Sequence, residues 1–343
     1  MIALLERAHH SKASDLHITA GSPPVMRIHG KLEAIGEEKI GSEQARQMAL
    51  SLLSSEQAER FEQAGELDFS CELDGLSRYR VNAYRQRGKV SIAVRTIPTA
   101  IPTMAQLQLP PILSTLALKP QGLILVTGPT GSGKSSTLAA MINHINTTER
   151  KHIVTLEDPI EYLHSHGTSI IDQREVGSDT RSFANGLRAA LRQDPDVILV
   201  GEMRDLETIS AAVTAAETGH LVFATLHTTD APQTIDRIID AFPGHQQGQI
   251  RSQLAAVLLA VVSQRLFPRM QGKGRACATE IMVNTPAVAN LIRTEKIHQI
   301  KSVMQTGRAL GMHTLETSIK DLLAIGAIEP AAGRAYLAEA GAY

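Results

Sequence analysis

The 343-residue chain contains no tryptophan, and aromatic residues make up only 3% of it. Its 34 lysines and arginines almost balance its 35 aspartates and glutamates, so no overall positive field would attract nucleic acid. Without stacking aromatics or a basic excess, a nucleic-acid translocase is disfavoured. The two cysteines, Cys71 and Cys277, cannot form a four-cysteine zinc site and indicate no disulfide framework.

Long apolar runs are also missing. The longest, Leu254–Val262, is far shorter than the roughly 20 residues that a membrane-spanning helix needs, and we predict that it forms a buried helix. The apolar start Ile2–Leu5 is followed at once by Glu6 and Arg7, which does not fit a signal peptide. These features predict a cytoplasmic protein without a transmembrane segment.

The sequence pattern changes near residue 100. Residues 1–100 alternate short helical and strand-like stretches, with period-2 patterns in Arg78–Tyr84 and Ser91–Thr96, which predicts a small α+β domain. Prolines then punctuate the chain, and we predict an interdomain linker over residues 101–118. The prolines are Pro98, Pro102, Pro110, Pro111 and Pro120.

Residues 119–343 are predicted to form a larger α/β domain. Apolar strands alternate with helices there, and strands that are apolar on both faces indicate a parallel sheet covered by helices on both sides. From about residue 245 onward the pattern predicts helices alone. The predicted strands are Gly122–Thr127, His152–Leu156, Val197–Val200 and Leu221–Leu226.

A phosphate-binding loop is predicted at Gly128–Ser135, between a strand and a helix. Its sequence GPTGSGKS matches G-x-x-x-x-G-K-[ST], in which glycines let the backbone N–H groups turn toward phosphate oxygens. We expect Lys134 to reach the β- and γ-phosphates of ATP and the Ser135 hydroxyl to bind Mg²⁺. A glycine-rich turn without a ligand is the structural alternative. The remaining predicted ATP contacts come from Gly128, Pro129, Thr130, Gly131, Ser132 and Gly133.

Carboxylates follow two of the predicted strands, at the sheet edge where the phosphate loop begins. Glu202 follows the third strand and is predicted to activate the attacking water or to hold Mg²⁺ through water. Glu157, Asp158 and Glu161 follow the second strand, and they either surround Mg²⁺ and its waters or cap a turn. Within that group, Glu157 is also a catalytic candidate.

Two histidines flank the fourth predicted strand: His220 at its start and His227 at its end. An isolated histidine is more often a core or capping residue, but two at one sheet edge can sense a phosphate or a neighbouring subunit. We therefore predict that His220 contacts the nucleotide and that His227 takes part in catalysis.

These four blocks, in this order, resemble the secretion and pilus motor ATPases. GPTGSGKS corresponds to their Walker A motif, Glu157–Glu161 to the acidic box, VILVGEMRD to an atypical Walker B motif and TGHLVFATLHTTDA to the histidine box. The resemblance runs from ASDLHI near the N-terminus to QTGRALGMHTLE near the C-terminus. The short N-terminal domain and the lack of a four-cysteine zinc element are similar to the PilT-like retraction branch.

The resemblance implies a fold, an assembly and partners. It implies a PAS-like N-terminal domain and a RecA-like ATPase domain with C-terminal helices, assembled as a homohexamer with ATP between adjacent subunits. It also implies an inner-membrane pilus platform protein as partner, together with a paralogous motor ATPase in some systems. The ring would then lie in the cytoplasm, at the inner face of the cytoplasmic membrane.

The resemblance also assigns roles to residues. The water-activating glutamate of the family falls on Glu202. Arginines that reach nucleotide phosphate in these motors match Arg80 and Arg95, where guanidinium groups would stabilise the charge that develops during phosphoryl transfer. Each arginine can instead form a surface ion pair. Further nucleotide-binding candidates are Arg188, Arg192, Arg204 and Arg237.

One segment departs from the family pattern. Similar retraction motors carry AIRNLIR, a motif tied to retraction rather than to hydrolysis, whereas residues 287–293 read AVANLIR with Ala289 in place of the arginine. The departure leaves the ATP chemistry unchanged and two functions open. One is a hexameric motor for pilus retraction and twitching motility, and the other is an accessory or divergent ATP-binding ring component that acts as a nucleotide-gated scaffold.

Overall fold

The structure, a computed structural model, describes residues 1–28, 30–73, 77–97, 100–270, 272 and 274–341. The chain divides into two units. The first comprises Met1–Ala100 with Glu161–Leu163, and the second comprises Ile101–Ile160 and His164–Tyr343. Pro98, one of the prolines used to place the linker, lies outside the described residues.

Within its described residues, the first unit contains a six-stranded antiparallel sheet and three helices. Alternate residues of one long strand, among them Tyr79, Val81 and Ala83, are fully buried, which confirms the period-2 prediction for that segment. The sheet has the order β3-β2-β1-β6-β5-β4. Its strands are β1 Asp15–Thr19, β2 Val25–Ile28, β3 Lys31–Ala34, β4 Glu66–Leu73, β5 Ser77–Gln86 and β6 Lys89–Ile97. The helices are α1 Ile2–His10, α2 Ser42–Leu50 and α3 Ser55–Ala64.

The second unit is organised around a seven-stranded sheet in the order β13-β12-β7-β11-β10-β8-β9. Neighbouring strands are parallel except for β12 and β13, which pair antiparallel at one side. The strands are β7 Gly122–Thr127, β8 His152–Glu157, β9 Ile170–Glu175, β10 Val197–Val200, β11 Leu221–Leu226, β12 Leu258–Pro268 and β13 Arg275–Val283. All residues of β7, β10 and β11 are buried, as expected for parallel strands covered on both faces.

Helices cover both faces of this sheet. Alternate residues of β7 enter different cores, with Leu123 and Leu125 in one and Ile124 and Val126 in the other. The helices are α4 Ile112–Ala117, α5 Lys134–Thr148, α6 Phe183–Ala190, α7 Leu206–Glu217, α8 Ala231–Asp240, α9 Gly244–Val257, α10 Pro286–Arg293, α11 Ile300–Thr306, α12 Leu315–Ala324 and α13 Pro330–Glu339. None of the helices in the described ranges is long and apolar enough to cross a bilayer.

The prediction that the chain is helical throughout after residue 245 is wrong. Helix α9 ends at Val257, and β12 and β13 then extend the sheet on the far side of β7. The run Leu254–Val262, predicted as a single buried helix, therefore passes from helix into strand. It is apolar in both parts, and a short apolar run has no periodicity that separates a buried helix from a buried strand.

The predicted linker over residues 101–118 is also corrected. This segment belongs to the second unit, where Leu109, Leu113 and Leu116 are buried in the core and α4 is formed. Pro111 lies in a turn and Pro120 in a bend on either side of α4, but the leucines of the segment contribute buried apolar surface. The segment is thus part of the domain rather than a spacer.

Candidate active site

The loop between β7 and α5 has the backbone of a phosphate cradle. Gly128, Gly131 and Gly133 have φ angles of 138°, 78° and 92°, which favour glycine. A Cβ on Gly128 would lie 2.4 Å from the backbone oxygen of Gln264, so a side chain does not fit where the loop leaves the strand. Helix α5 begins at Lys134 without a side-chain cap hydrogen bond, as at helix N-termini that receive an anion.

Two polar groups in this loop are suited to bind the phosphates of a nucleoside triphosphate. The Oγ atom of Ser132 is buried and has no hydrogen-bond partner among the described residues, an arrangement that costs stability until an acceptor or donor arrives. Lys134 Nζ donates to the carbonyl oxygens of Gly128 at 2.7 Å and Pro129 at 3.2 Å. Burial lowers the pKa of Lys134, an effect that the charge of Glu202 opposes. Phosphate oxygens would satisfy both the hydroxyl and the ammonium group.

Glu202 lies directly beyond β10 at the centre of a charged cluster. Its Oε1 atom is 2.7 Å from Arg204 Nε and 2.9 Å from His227 Nε2. Burial favours the protonated acid, but the Arg204 hydrogen bond and the nearby positive charges outweigh burial and hold the pKa of Glu202 below its ordinary value. Among those charges is Lys134 of the phosphate loop. Glu202 is therefore ionised at neutral pH and able to orient a water molecule or accept its proton.

Backbone contacts hold Glu202 at the edge of the sheet. The N–H of Gly201 donates to Leu156 O at 2.7 Å, and the Thr225 hydroxyl donates to Gly201 O. A Cβ on Gly201 would lie 3.0 Å from Leu156 O and 3.3 Å from the Cα of Glu157, so glycine lets two carboxylate-bearing strand ends approach closely. Thr225 is not predictable as a site residue from the sequence, because a threonine inside an apolar strand carries no motif signal.

The three predicted Mg²⁺ carboxylates, Glu157, Asp158 and Glu161, do not form one cluster in the structure. Glu157 Oε1 accepts hydrogen bonds from Thr155 Oγ1 at 2.8 Å and Gln173 Nε2 at 3.1 Å. Asp158 is exposed, and Glu161 is grouped with the first unit. No three His, Cys, Asp or Glu side chains in the described part of the chain are arranged to hold a metal ion. The roles of these carboxylates toward Mg²⁺ stay predictions.

The two histidines lie at opposite edges of the sheet, so the prediction that they share one edge is wrong. His227 follows the carboxyl end of β11 and contacts Glu202, whereas His220 precedes the strand. The strand has six residues and separates the histidines by about 20 Å at the usual rise of a strand. His220 Nδ1 lies 2.9 Å from Ala215 O and 3.2 Å from Thr218 Oγ1, so it binds the end of α7 and not the phosphate loop.

The arginine candidates of the second unit are dispersed. Arg204 binds Glu202, and Arg188 pairs with Glu207 in the first turn of α7 at 2.9 Å. Arg192 is exposed and follows α6, on the approach to the amino end of β10, away from the phosphate loop of its own chain. Arg237 is exposed in the last turn of α8. Contacts of these arginines with a nucleotide stay predictions.

In the first unit, Arg80 and Arg95 are directly opposite each other on β5 and β6. Arg95 Nε is 3.1 Å from Asp15 Oδ1, so this arginine forms a surface ion pair within its own unit. Both guanidinium groups thus belong to one pair of neighbouring strands. Their role as arginine fingers is untested by this geometry and stays a prediction.

A largely parallel sheet with a phosphate loop after a central strand, and a partly buried glutamate after another strand at the same edge, defines a RecA-like P-loop ATPase. The model of the family described as Type II/IV secretion system protein matches residues 2–324, and the chain belongs to that family. It is an ATPase and uses a nucleotide, as predicted.

The relatives include pilus motors. The chain is 49% identical over 316 residues to the type IV pilus retractation ATPase PilT of Pseudomonas aeruginosa, with 92% of each protein covered. It is 44% identical over 315 residues to the type IV pilus ATPase PilU of the same organism, covering 92% of this chain and 82% of PilU. A crystal structure of the pilus retraction motor PilT with bound ADP matches with a TM-score of 0.91 and 46% identity, covering 97% of this chain and 95% of that one. The predicted resemblance and fold class are confirmed.

Proposed function

We propose that this ATPase is the motor that retracts a type IV pilus and thereby drives twitching motility. The observation that carries the proposal is the similarity to the pilus retraction ATPase PilT over 92% of the chain. The site agrees with a working motor rather than a passive binder, because Glu202 is ionised, held by two side chains and within the electrostatic reach of Lys134.

Each residue of the site has a distinct task in the proposed reaction. The N–H groups of the phosphate loop and the ammonium group of Lys134 bind the phosphates, for which Lys134 leaves the carbonyl oxygens that it now contacts. The Ser135 hydroxyl would hold Mg²⁺, which neutralises phosphate charge when bound. Glu202 orients the water and accepts its proton, and His227 keeps the carboxylate of Glu202 in place. Arg80 and Arg95 are proposed to stabilise the charge of the transferred phosphoryl group.

The proposal extends to assembly and location. We propose a homohexameric ring in the cytoplasm, at the inner face of the cytoplasmic membrane, that acts on an inner-membrane platform protein of the pilus. A paralogous motor ATPase is a further proposed partner, supported by the similarity to both PilT and PilU. Size-exclusion chromatography with light scattering tests the ring directly, since a hexamer has about six times the mass of one 37.0 kDa chain.

Ala289 bears on the scaffold alternative. It lies in α10, is 7% exposed and packs in the same core as Val288 and Ile292. A buried alanine at this place supports α10 through packing, and it alters none of the residues around Glu202. The relatives do not favour a scaffold without retraction activity.

Gene deletion followed by complementation tests the proposed function. Deletion in the organism that encodes the chain is expected to abolish twitching and to leave more pili on the surface, because pili are then assembled but not retracted. Wild type restores twitching, and Lys134→Ala, which removes the phosphate-binding ammonium group, does not. Ala289→Arg, which introduces the arginine of the AIRNLIR motif, is compared with wild type in the same complementation. Unchanged twitching and piliation after deletion would refute the retraction role.

A further inference from the structure

We infer that Glu280 is a positioning residue for ATP hydrolysis. Its carboxylate joins the start of α8 to the start of α12 and thereby fixes the position of His227 relative to Glu202. The inference concerns the coupling of the C-terminal helices to the catalytic glutamate. It rests on the ATPase activity and not on the proposed role in pilus retraction.

The first observation is a buried carboxylate shared by two helix N-termini. Glu280 lies in β13 and is 3% exposed. Its Oε1 accepts the N–H of Ala231 at 2.9 Å, and its Oε2 accepts the N–H of Leu315 at 3.4 Å. These are the first residues of α8 and α12, where unpaired N–H groups and the helix dipole attract negative charge. One side chain therefore connects two helices that are far apart along the chain.

The second observation is the level of Glu280 in the sheet. Glu280 is opposite Ser263 on β12, and Ser263 is opposite Thr127 on β7. The Thr127 hydroxyl donates to Ser263 Oγ at 2.9 Å, so these side chains lie on the same face of the sheet. Thr127 immediately precedes Gly128 of the phosphate loop. Glu280 is thus at the same level of the sheet as Thr127, the last residue of β7, at the edge that carries the phosphate loop.

The third observation connects α8 to Glu202 through the histidine loop, defined as His227–Asp230. The Thr234 hydroxyl of α8 donates to Asp230 O at 2.7 Å, and it is 2.7 Å from the Thr228 hydroxyl. The loop is therefore fastened to the first turns of α8. Because His227 Nε2 is 2.9 Å from Glu202 Oε1, a displacement of the start of α8 would move the residue that holds the catalytic carboxylate.

The charges around Glu280 make this connection sensitive to pH. Burial raises the pKa of Glu280 to about 7, the carboxylates of Asp230 and Glu316 add to the rise, and the two N–H groups oppose it. The facing cation, Lys301 of α11, is 2.7 Å from Glu316 Oε1. When ionised, Glu280 offers an acceptor oxygen to each helix, whereas the protonated acid has a hydroxyl in place of one of them. The connection is therefore complete above about pH 7 and weakened below it.

Steady-state hydrolysis by the full-length protein between about pH 6 and pH 8.5 tests the inference. Glu280→Gln keeps one acceptor oxygen but cannot ionise, and an amide replaces the second acceptor. We expect its kcat at high pH to be about five- to tenfold below wild type, its KM for ATP to change less than about twofold, and the inflection of kcat near pH 7 to disappear. Glu280→Asp retains a titrating carboxylate on a shorter side chain and is expected to keep an inflection at a reduced kcat.

Glu295→Gln is the matched control, because Glu295 is a surface carboxylate whose ion-pair partner, Arg251, lies in α9 and not at the start of α8 or α12. It should keep the wild-type kcat and pH profile. The inference is overturned if folded Glu280→Gln retains the wild-type kcat and inflection, if its effect falls on KM alone, or if Glu295→Gln changes the profile equally. Should Glu280→Gln fail to fold, Glu280→Asp decides the matter, since a wild-type kcat in that variant overturns the inference. Turnover by wild type in the same assay confirms separately that the ATPase itself is active.

Discussion

The two edges of the seven-stranded sheet contain similar residue types and do different things. The carboxyl edge carries the phosphate loop, which contains Lys134, and beside it lie Glu202 and His227. At the amino edge, Lys151 Nζ is 3.2 Å from Asp196 Oδ1, and the N–H of His152 donates to Asp196 Oδ2 at 2.9 Å. A lysine, a histidine and a carboxylate occur at both edges. The comparison shows that these residue types do not make an ATPase site without the surrounding backbone.

The difference comes from the direction of the helices. In a parallel sheet, helices begin at the carboxyl edge, where α5 and α8 present N–H groups, and end at the amino edge, where carbonyl groups are exposed. The histidines at the amino edge accordingly contact carbonyls, with His152 Nδ1 3.2 Å from Asp194 O and His220 Nδ1 2.9 Å from Ala215 O. An edge that presents carbonyl oxygens repels phosphate, and its charged residues are left to stabilise the fold.

The largest expected effect falls on the carboxyl edge. Glu202→Gln removes the proton acceptor but keeps the size of the side chain, so kcat should fall about 10²- to 10³-fold while nucleotide affinity changes only a few-fold. Turnover and binding of a fluorescent ATP analogue measure the two quantities separately. Near-normal turnover in Glu202→Gln would contradict the assignment of water activation to Glu202.

A matched pair of histidine variants compares the edges directly. His227→Ala should lower kcat about tenfold because Glu202 loses one of the two side chains that hold its Oε1 atom. His220→Ala should leave kcat within about twofold and cost about 1 kcal/mol of unfolding free energy through the lost contact with the end of α7. Both are measured by turnover and by thermal unfolding. Equal losses of turnover in the two variants would contradict the assignment of separate roles.

The smallest expected effect is at Asp196. Burial raises the pKa of this carboxyl, but the N–H of His152 and the ammonium group of Lys151 outweigh burial, so its pKa is lowered. Its ionised form therefore adds stability above an ordinary carboxyl pKa near 4, and this contribution is lost as the pH falls through the lowered pKa.

Asp196→Asn should consequently cost about 1 kcal/mol at neutral pH, discounted for the partial exposure of the Lys151 pair, and the gap to wild type should close below about pH 4. Urea unfolding at several pH values measures it, and turnover at neutral pH is the control, expected to be unchanged. A pH-independent stability gap, or a loss of turnover, would show that Asp196 has another role.

Much of the site was predictable from local sequence. The apolar strands β7, β8, β10 and β11 were predicted close to their observed bounds, and the apolar stripe after the phosphate loop is buried in one core. That stripe consists of Leu138, Met141, Ile142 and Ile145. These features depend on residues that are neighbours along the chain, so pattern and spacing suffice to recognise them.

Other features depend on pairing between distant segments. The role inferred for Glu280 depends on its hydrogen bonds with Ala231 and Leu315. These residues lie on either side of it in sequence and contact it only in the folded domain. Strands β12 and β13 could not be distinguished from helix by composition. The place of His220 at the amino edge follows from the direction of β11 in the folded sheet, which no motif encodes.

The sequence by itself predicted an ATP phosphate site at Gly128–Ser135, and it determined that Glu202 stands at the same sheet edge and that the chain belongs with the secretion and pilus motors, because short motifs encode backbone shape and chemistry locally. Only the tertiary structure decided at which of the two sheet edges each histidine lies, that Arg204 and His227 both contact Glu202, and that a buried carboxylate joins α8 to α12. The reason is that strand order and direction bring together residues whose separation along the chain carries no signal.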